Sequence, residues 1–357
     1  MSRAGDDLRC ERRGRALLLT LNRPAALNAL SLEMALDLED ELDRAAADDA
    51  VELVVVRGAG GRAFCAGGDI RRMYDLRGTG DPYAYDFFRT EYAMNARVFH
   101  FPKPYVALMD GIVMGGGVGL SVHGSHRVAS ERMMLAMPET GIGLFPDVGG
   151  SYFLPRLPGE TGLFMALTGA RIRAADALAL GIADAFVPSD RLQALEAALA
   201  ETDLGGGSDA VERVLTGFAG DAGRASVTVE REAIDACFSA GSVEEILARL
   251  KARGGAWAET QLGILAAKSP TSLKITFEQM RRGARLDFDA CMAMEYRIAN
   301  GCVLGHDFYE GIRAVVVDKD QKPAWRPASL AEVSEADVAA YFERPPFEGD
   351  LNVSAPN

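Results

Sequence analysis

Apolar residues in this chain fall into short unbroken runs set between stretches of helical spacing. RALLLTLNR (15–23) and ELVVVRG (52–58) are apolar on successive positions, as a strand buried on both faces is, and Pro24 and Gly58 end them. YVALMDG (105–111) and MMLAM (133–137) have the same character. Behind Ser31, a residue type that caps helix N-termini, Met34, Leu38, Leu42 and Ala46 recur on one face, which predicts a helix. Strands alternating with helices give an α/β core with crossover connections.

After VPSD (187–190) the pattern changes. Residues 191–300 are helical in spacing, broken by LGGGSD (204–209), a linker or loop. VVVDKD (315–320) and the proline-bearing PAWRP (323–327) precede one last short helix. The chain is therefore divided near residue 200, into a core over 1–200 and a helical region with an extended tail over 201–357. No period of 20 to 50 residues repeats, which argues against a repeat array.

Composition narrows the function. The 357 residues suffice for a sizeable core, and 48% hydrophobic with 25% charged residues is ordinary for a soluble globular protein. A net charge of −13 argues against nucleic acid or an anionic membrane as partner, though a few local basic residues can still hold a small phosphorylated ligand. Cys10, Cys65, Cys237, Cys291 and Cys302 are odd in number and lack CxxC spacing, so buried reduced thiols are expected. MSRAGDDLRCERRGR has no apolar signal-peptide core, and Asp6, Asp7 and Glu11 suit a mitochondrial transit peptide poorly. No apolar run approaches the ~18 residues of a membrane span. These features set the expectation of a soluble, cytoplasmic protein.

Three motifs promise more than they deliver. GAGGRA (58–63) fits G-x-G-x-x-A after a strand, but FCAGGD turns again before a helix can form, so a plain tight turn is expected over a dinucleotide site. GLSVH (119–123) misses the nucleophile elbow at its last position, leaving Ser121 as a core residue. His123 and His126 have metal-like spacing but no third ligand nearby, so no metal is expected.

CAGGDI (65–70) and MGGGVGL (114–120) each put small residues at a turn running into a helix. Glycines there let backbone N–H groups approach a ligand, and two such groups on one oxygen form an oxyanion hole. The alternative is two capping turns that never meet. Glu139 and Asp147 lie in MPETGIGLFPDVGG (137–150), whose glycines and Pro146 hold side chains rigidly. A carboxylate beside a polarised acyl group can attack it or activate water towards it. The plainer alternative makes them loop acids that cap helices, such as the one around Tyr152.

On these residues the chain resembles the crotonase (enoyl-CoA hydratase/isomerase) superfamily, and within it a thioester-hydrolase branch. LNRPAALNAL, AFCAGGDI and MGGGVGLSVHG carry the superfamily likeness; MPETGIGLFPDVGGSYFLPRLPG and GHDFYEGIRA carry that to the branch. The resemblance implies a spiral of ββα units with a helical C-terminal region, which can also serve a homo-oligomer. It implies an acyl-CoA thioester as substrate, with no metal or redox cofactor, and favours 3-hydroxyisobutyryl-CoA of valine breakdown. It makes the N–H groups of Gly68 and Gly116 the oxyanion donors, Glu139 and Asp147 the catalytic acids, and Glu91 of FFRTEY a substrate contact. Gly116 also counts among the substrate-binding residues. Hydratases of the superfamily carry a glutamate three residues after the middle glycine; here that position is Gly119. Hydration needs an acid and a base about one water, so hydrolysis is the better fit. The rival functions are a hydratase or isomerase of the same fold, a silent acyl-CoA-binding protein, and a NAD-dependent dehydrogenase acting through GAGGRA.

Overall fold

A computed structural model describes residues 2–202, 207–343 and 349–351. Strand β1 (Leu8–Arg13) pairs antiparallel with β2 (Ala16–Leu21). From there the large sheet runs parallel through β3 (Leu53–Gly58), β5 (Tyr105–Met109), β7 (His126–Ala129) and β9 (Ala185–Phe186). A second parallel sheet is built from β4 (Ala63–Cys65), β6 (Ile112–Met114) and β8 (Met134–Ala136). Each turn of the chain thus gives one strand to the large sheet, bends, and gives a short strand to the small one. This is the expected spiral. The bend after β5 needs Gly111, at φ +97°, because a Cβ there would lie 2.5 Å from the Arg62 carbonyl oxygen.

The unbroken apolar runs have a direct cause. Leu18, Val55, Val106 and Val128 face an apolar layer formed by Leu195, Leu199, Val211 and Leu215 of the helices Leu192–Glu201 and Ser208–Phe218. The intervening Leu19, Val54, Val56 and Ala107 face the interior of the spiral. Burial on both sides leaves no polar alternation to see.

Helix α1 (Leu32–Ala47) starts as expected, with the Ser31 Oγ accepting from the Met34 N–H at 3.2 Å. Met34, Leu38 and Leu42 are buried, but the fourth buried position is Ala45 and not Ala46, because a 3.6-residue turn drifts against a strict spacing of four. Helices α2 (Ile70–Leu76) and α4 (Gly116–Gly119) follow the two glycine turns, and the long α3 (Tyr83–Phe99) lies between them. Beyond Ser208 the chain is a succession of helices. Those over Pro270–Gly283 and Phe288–Leu304 return to the core, and Glu335–Ala340 is the short last one. Of the LGGGSD segment, residues 204–206 lie outside the described residues, and Ser208 already opens a helix. VVVDKD begins inside a π-helical turn, Arg313–Val317. Four cysteines are buried as expected, but Cys10 is exposed on β1, a strand that buries only Leu8. Among the described residues no helix is long and apolar enough to cross a membrane.

Candidate active site

The two glycine turns do meet. The Leu30 N–H donates to the Gly67 carbonyl at 2.9 Å and fixes the first turn at the end of β4. The second turn follows β6, and a Cβ on Gly115 would lie 3.2 Å from the Gly67 Cα and 3.4 Å from Glu139 Oε1. Gly115 sits at φ +48°, so glycine serves both the backbone and the close approach. Among the described residues, the N–H groups of Gly68 and Gly116 are given to no acceptor.

Three carboxylates surround this junction, all nearly inaccessible: Glu91 is 2% exposed, Glu139 and Asp147 4% each. Glu139 opens a 3₁₀ turn directly after β8, and its Oε2 is buried with no hydrogen-bond partner. Glu91, on α3, presses Oε1 against Gly116, and that oxygen is also buried and unpartnered. Asp147 Oδ2 accepts from the Tyr92 hydroxyl at 2.9 Å, one residue along α3 from Glu91.

Burial is the first cause that pushes all three acids above the ordinary carboxylate range. For Glu91 the charges of Asp147 and Glu139 add to it, and nothing opposes. Asp147 adds to the effect on Glu139, against its own backbone N–H and the Lys268 ammonium. Asp147 rises to about 7, held back by the Tyr92 hydroxyl. Three buried carboxyls cannot all ionise together. Asp147 has the donor that favours its anion, and Glu91 is the one best suited to keep its proton. Lys268 reaches over the loop, with Nζ 3.2 Å from where a Cβ on Gly141 would be, and its own pKa is lowered by burial.

The loop that carries the acids is held by side chains from several parts of the fold. His123 Nε2–H donates to the Val148 carbonyl at 2.7 Å, and burial lowers that imidazole's pKa to about 4, which keeps it neutral. Gln279 Nε2 donates to the Pro146 carbonyl at 2.7 Å. Glu295, fully buried on the helix Phe288–Leu304, accepts from the N–H of Gly149 at 2.8 Å, from that of Ser151 at 2.9 Å, and from the Ser151 hydroxyl. Glu295 therefore caps the short helix Gly150–Phe153, and the Asp147 side chain stays turned towards Tyr92. Between them Val148 is left at φ +50°, a strained value for a β-branched residue.

The other motifs take ordinary roles. GAGGRA is a turn between β3 and β4 and opens no helix. Ser121 is buried and donates to the Gly117 carbonyl at 2.7 Å. Sequence inspection singled out Glu91, Glu139, Asp147, Gly68 and Gly116, and the fold brings them together. It passed over Tyr92, Asn95, Lys268, Gln279 and Glu295. The one available signal for Glu295 was a lone acid among Met292, Met294, Ile298 and Ala299, which are all buried. A cavity of about 560 Å³ lies beside α3, between Arg77, Tyr85, Arg89, Tyr296 and Tyr309, and Glu91, Glu139, Asp147, Gly68 and Gly116 do not line it.

The pattern described for the enoyl-CoA hydratase/isomerase family matches residues 16–342. The chain belongs to this family. A 3-hydroxyisobutyryl-CoA hydrolase of Danio rerio is 50% identical over 346 residues, spanning 96% of this chain and 90% of that protein. The Homo sapiens protein of that name is 46% identical over 344 residues, 95% and 89% of the two chains. Among solved structures, a carnitinyl-CoA dehydratase from Mycobacterium thermoresistibile superposes with a TM-score of 0.91 at 40% identity, covering 99% and 100% of the chains. An enoyl-CoA hydratase from Rhodobacter sphaeroides 2.4.1 gives 0.89, also at 40%, covering 97% and 99%. Both hydrolase relatives are named as mitochondrial, which overturns the cytoplasmic expectation and points to mitochondria instead. The expectation rested on the acids Asp6, Asp7 and Glu11, on composition and on the lack of an apolar span, none of which separates mitochondrial from cytosolic proteins.

Proposed function

We propose that this protein hydrolyses the thioester of 3-hydroxyisobutyryl-CoA. The thioester oxygen accepts from the N–H groups of Gly68 and Gly116, which stabilise the charge that builds on it. Glu139 either attacks the carbonyl carbon, giving a mixed anhydride that water then opens, or takes a proton from water as it attacks. In both routes one water is consumed, and the carboxylic acid and CoA thiol are released. Asp147, in repulsion with Glu139 and bonded to Tyr92, tunes the basicity of Glu139. Glu91 supports the acyl end beside Gly116. No metal or redox cofactor enters the reaction.

The observation that carries this reading is at Gly119. A Cβ there would lie 2.5 Å from Asn95 Nδ2 and 2.8 Å from Val148 Cβ. The position has neither the second acid that hydration needs nor space for one. The protein should release free thiol from 3-hydroxyisobutyryl-CoA and leave the conjugated double bond of crotonyl-CoA nearly intact. Efficient crotonyl-CoA hydration, with no thiol from any hydroxyacyl-CoA, would reverse the assignment in favour of a hydratase.

Asp147→Asn separates activity from stability. Burial raises the folded pKa of Asp147 from its ordinary value of 3.8 to about 7. The native state therefore binds this proton more tightly, and the contribution favours folding below about pH 4 and is lost as pH rises towards 7. Asn removes that loss and still accepts from Tyr92. Melting curves should show the variant gaining a few degrees at pH 8, on the order of 3–5 °C, and little at pH 4. Turnover should fall to a similar degree on hydroxylated and plain acyl chains. A lower Tm at pH 8 would show that the carboxylate stabilises the fold.

A further inference from the structure

Helix α3 meets the site with two successive rungs. At the first, Glu91 lies against Gly116 while Tyr92 bonds Asp147. At the second, one helical turn on, Asn95 lies against Gly119 and Val148. Asn95 is 0% exposed, and both its Nδ2 and its Oδ1 are buried with no hydrogen-bond partner in the protein. A buried amide left with a free donor and a free acceptor is costly, and such groups ordinarily find a partner. Both neighbours, the glycine helix and the acid loop, belong to the active site. We propose that the Asn95 amide is the specificity determinant that recognises the hydroxyl of the acyl chain.

The chemistry of the two groups matches. A hydroxyl is one donor and an acceptor, and a primary amide offers the complement of each. With the thioester oxygen at Gly68 and Gly116, the 3-hydroxyl stands two carbons further along the acyl chain. Gly119 is three residues beyond Gly116 along α4, about 4.5 Å at a helical rise. The first rung of α3 thus serves the thioester and the second the hydroxyl. Asn95 is also neutral among acids, so it grips the hydroxyl without supplying a proton or taking one. Asp147 is the competing candidate, but Tyr92 already occupies one of its oxygens.

The inference takes its substrate from the proposed hydrolysis, so it is tested by binding, with turnover removed. On Glu139→Gln protein, calorimetry should find 3-hydroxyisobutyryl-CoA bound on the order of 10–100-fold more tightly than isobutyryl-CoA, the effect of one buried polar group paired or left unpaired. Adding Asn95→Leu, which fills the space with apolar atoms, should bring the two dissociation constants within a factor of about three, chiefly by weakening the hydroxylated ester. Its Tm should not fall, because no partner in the protein is lost. Asn95→Ser, smaller and polar, should give an intermediate ratio and serves as the judge if the leucine variant does not fold. A preference that survives both substitutions, or equal weakening of both esters, would make Asn95 a packing residue and overturn the inference. If the unsubstituted protein releases no thiol, it is the hydrolase assignment that fails, and the ratio of dissociation constants still decides the role of Asn95.

Discussion

Glu139→Gln should lose at least 10²-fold in kcat, and up to about 10⁴-fold if Glu139 acts only as a base, with KM little changed. Glutamine keeps the shape of the side chain beside Gly115 but can neither attack a carbonyl nor accept a proton from water. Binding groups remain, so the loss belongs to the chemical step. In the unsubstituted protein the same carboxyl must be ionised to act, and burial together with Asp147 raises its pKa well above the ordinary value. Hydrolysis should therefore fall as the pH is lowered, along a limb lying above the usual carboxylate range. Steady-state thiol release read against pH for both proteins checks the two statements. More than about a tenth of wild-type kcat in the glutamine variant would remove Glu139 from the central role.

Gly116→Ala should cost about 10²–10³ in rate, the typical effect of losing one oxyanion donor. The new methyl would run into Glu91 Oε1 and stand 2.9 Å from Leu30 Cδ1, so the turn must move away from the thioester. Leu30 also anchors the opposite turn through Gly67, which means both donors shift together. Gly217→Ala is the matched control, on a helix where an added Cβ meets nothing within 4 Å. Circular dichroism should find both variants folded. Near-normal turnover in Gly116→Ala would show that this N–H does not carry the charge.

The sequence made the site more legible than the fold. Apolar runs gave β2, β3, β5 and β8 because strands buried on both faces carry no polar interruption. The spiral left no period, since its turns are unequal: β3, β5 and β7 begin at Leu53, Tyr105 and His126. The small-sheet strands are three residues each, too short for any pattern to rise above noise. Glycines and acids were conspicuous because charge amid glycine is unusual. Asn95 and Tyr92 were hidden because an asparagine and a tyrosine on an amphipathic helix look like any others. Their meaning comes from α3 crossing both turns, a long-range fact. That Glu295, far along the chain, accepts from the N-terminal N–H groups of the helix Gly150–Phe153 was likewise not to be read from the loop itself.

That division of labour orders events during synthesis. A ribosome that has delivered Gly68, Gly116, Glu139 and Asp147 has made the groups assigned above to the reaction, yet the loop that carries the acids still lacks supports from further along the chain. Gln279 and Glu295 emerge more than a hundred residues after Asp147, and until they dock, the left-handed backbone at Val148 lacks the bonds they give to Pro146 and Gly149 on either side of it. The last third of the chain therefore completes the scaffold of a loop whose acids were made long before it.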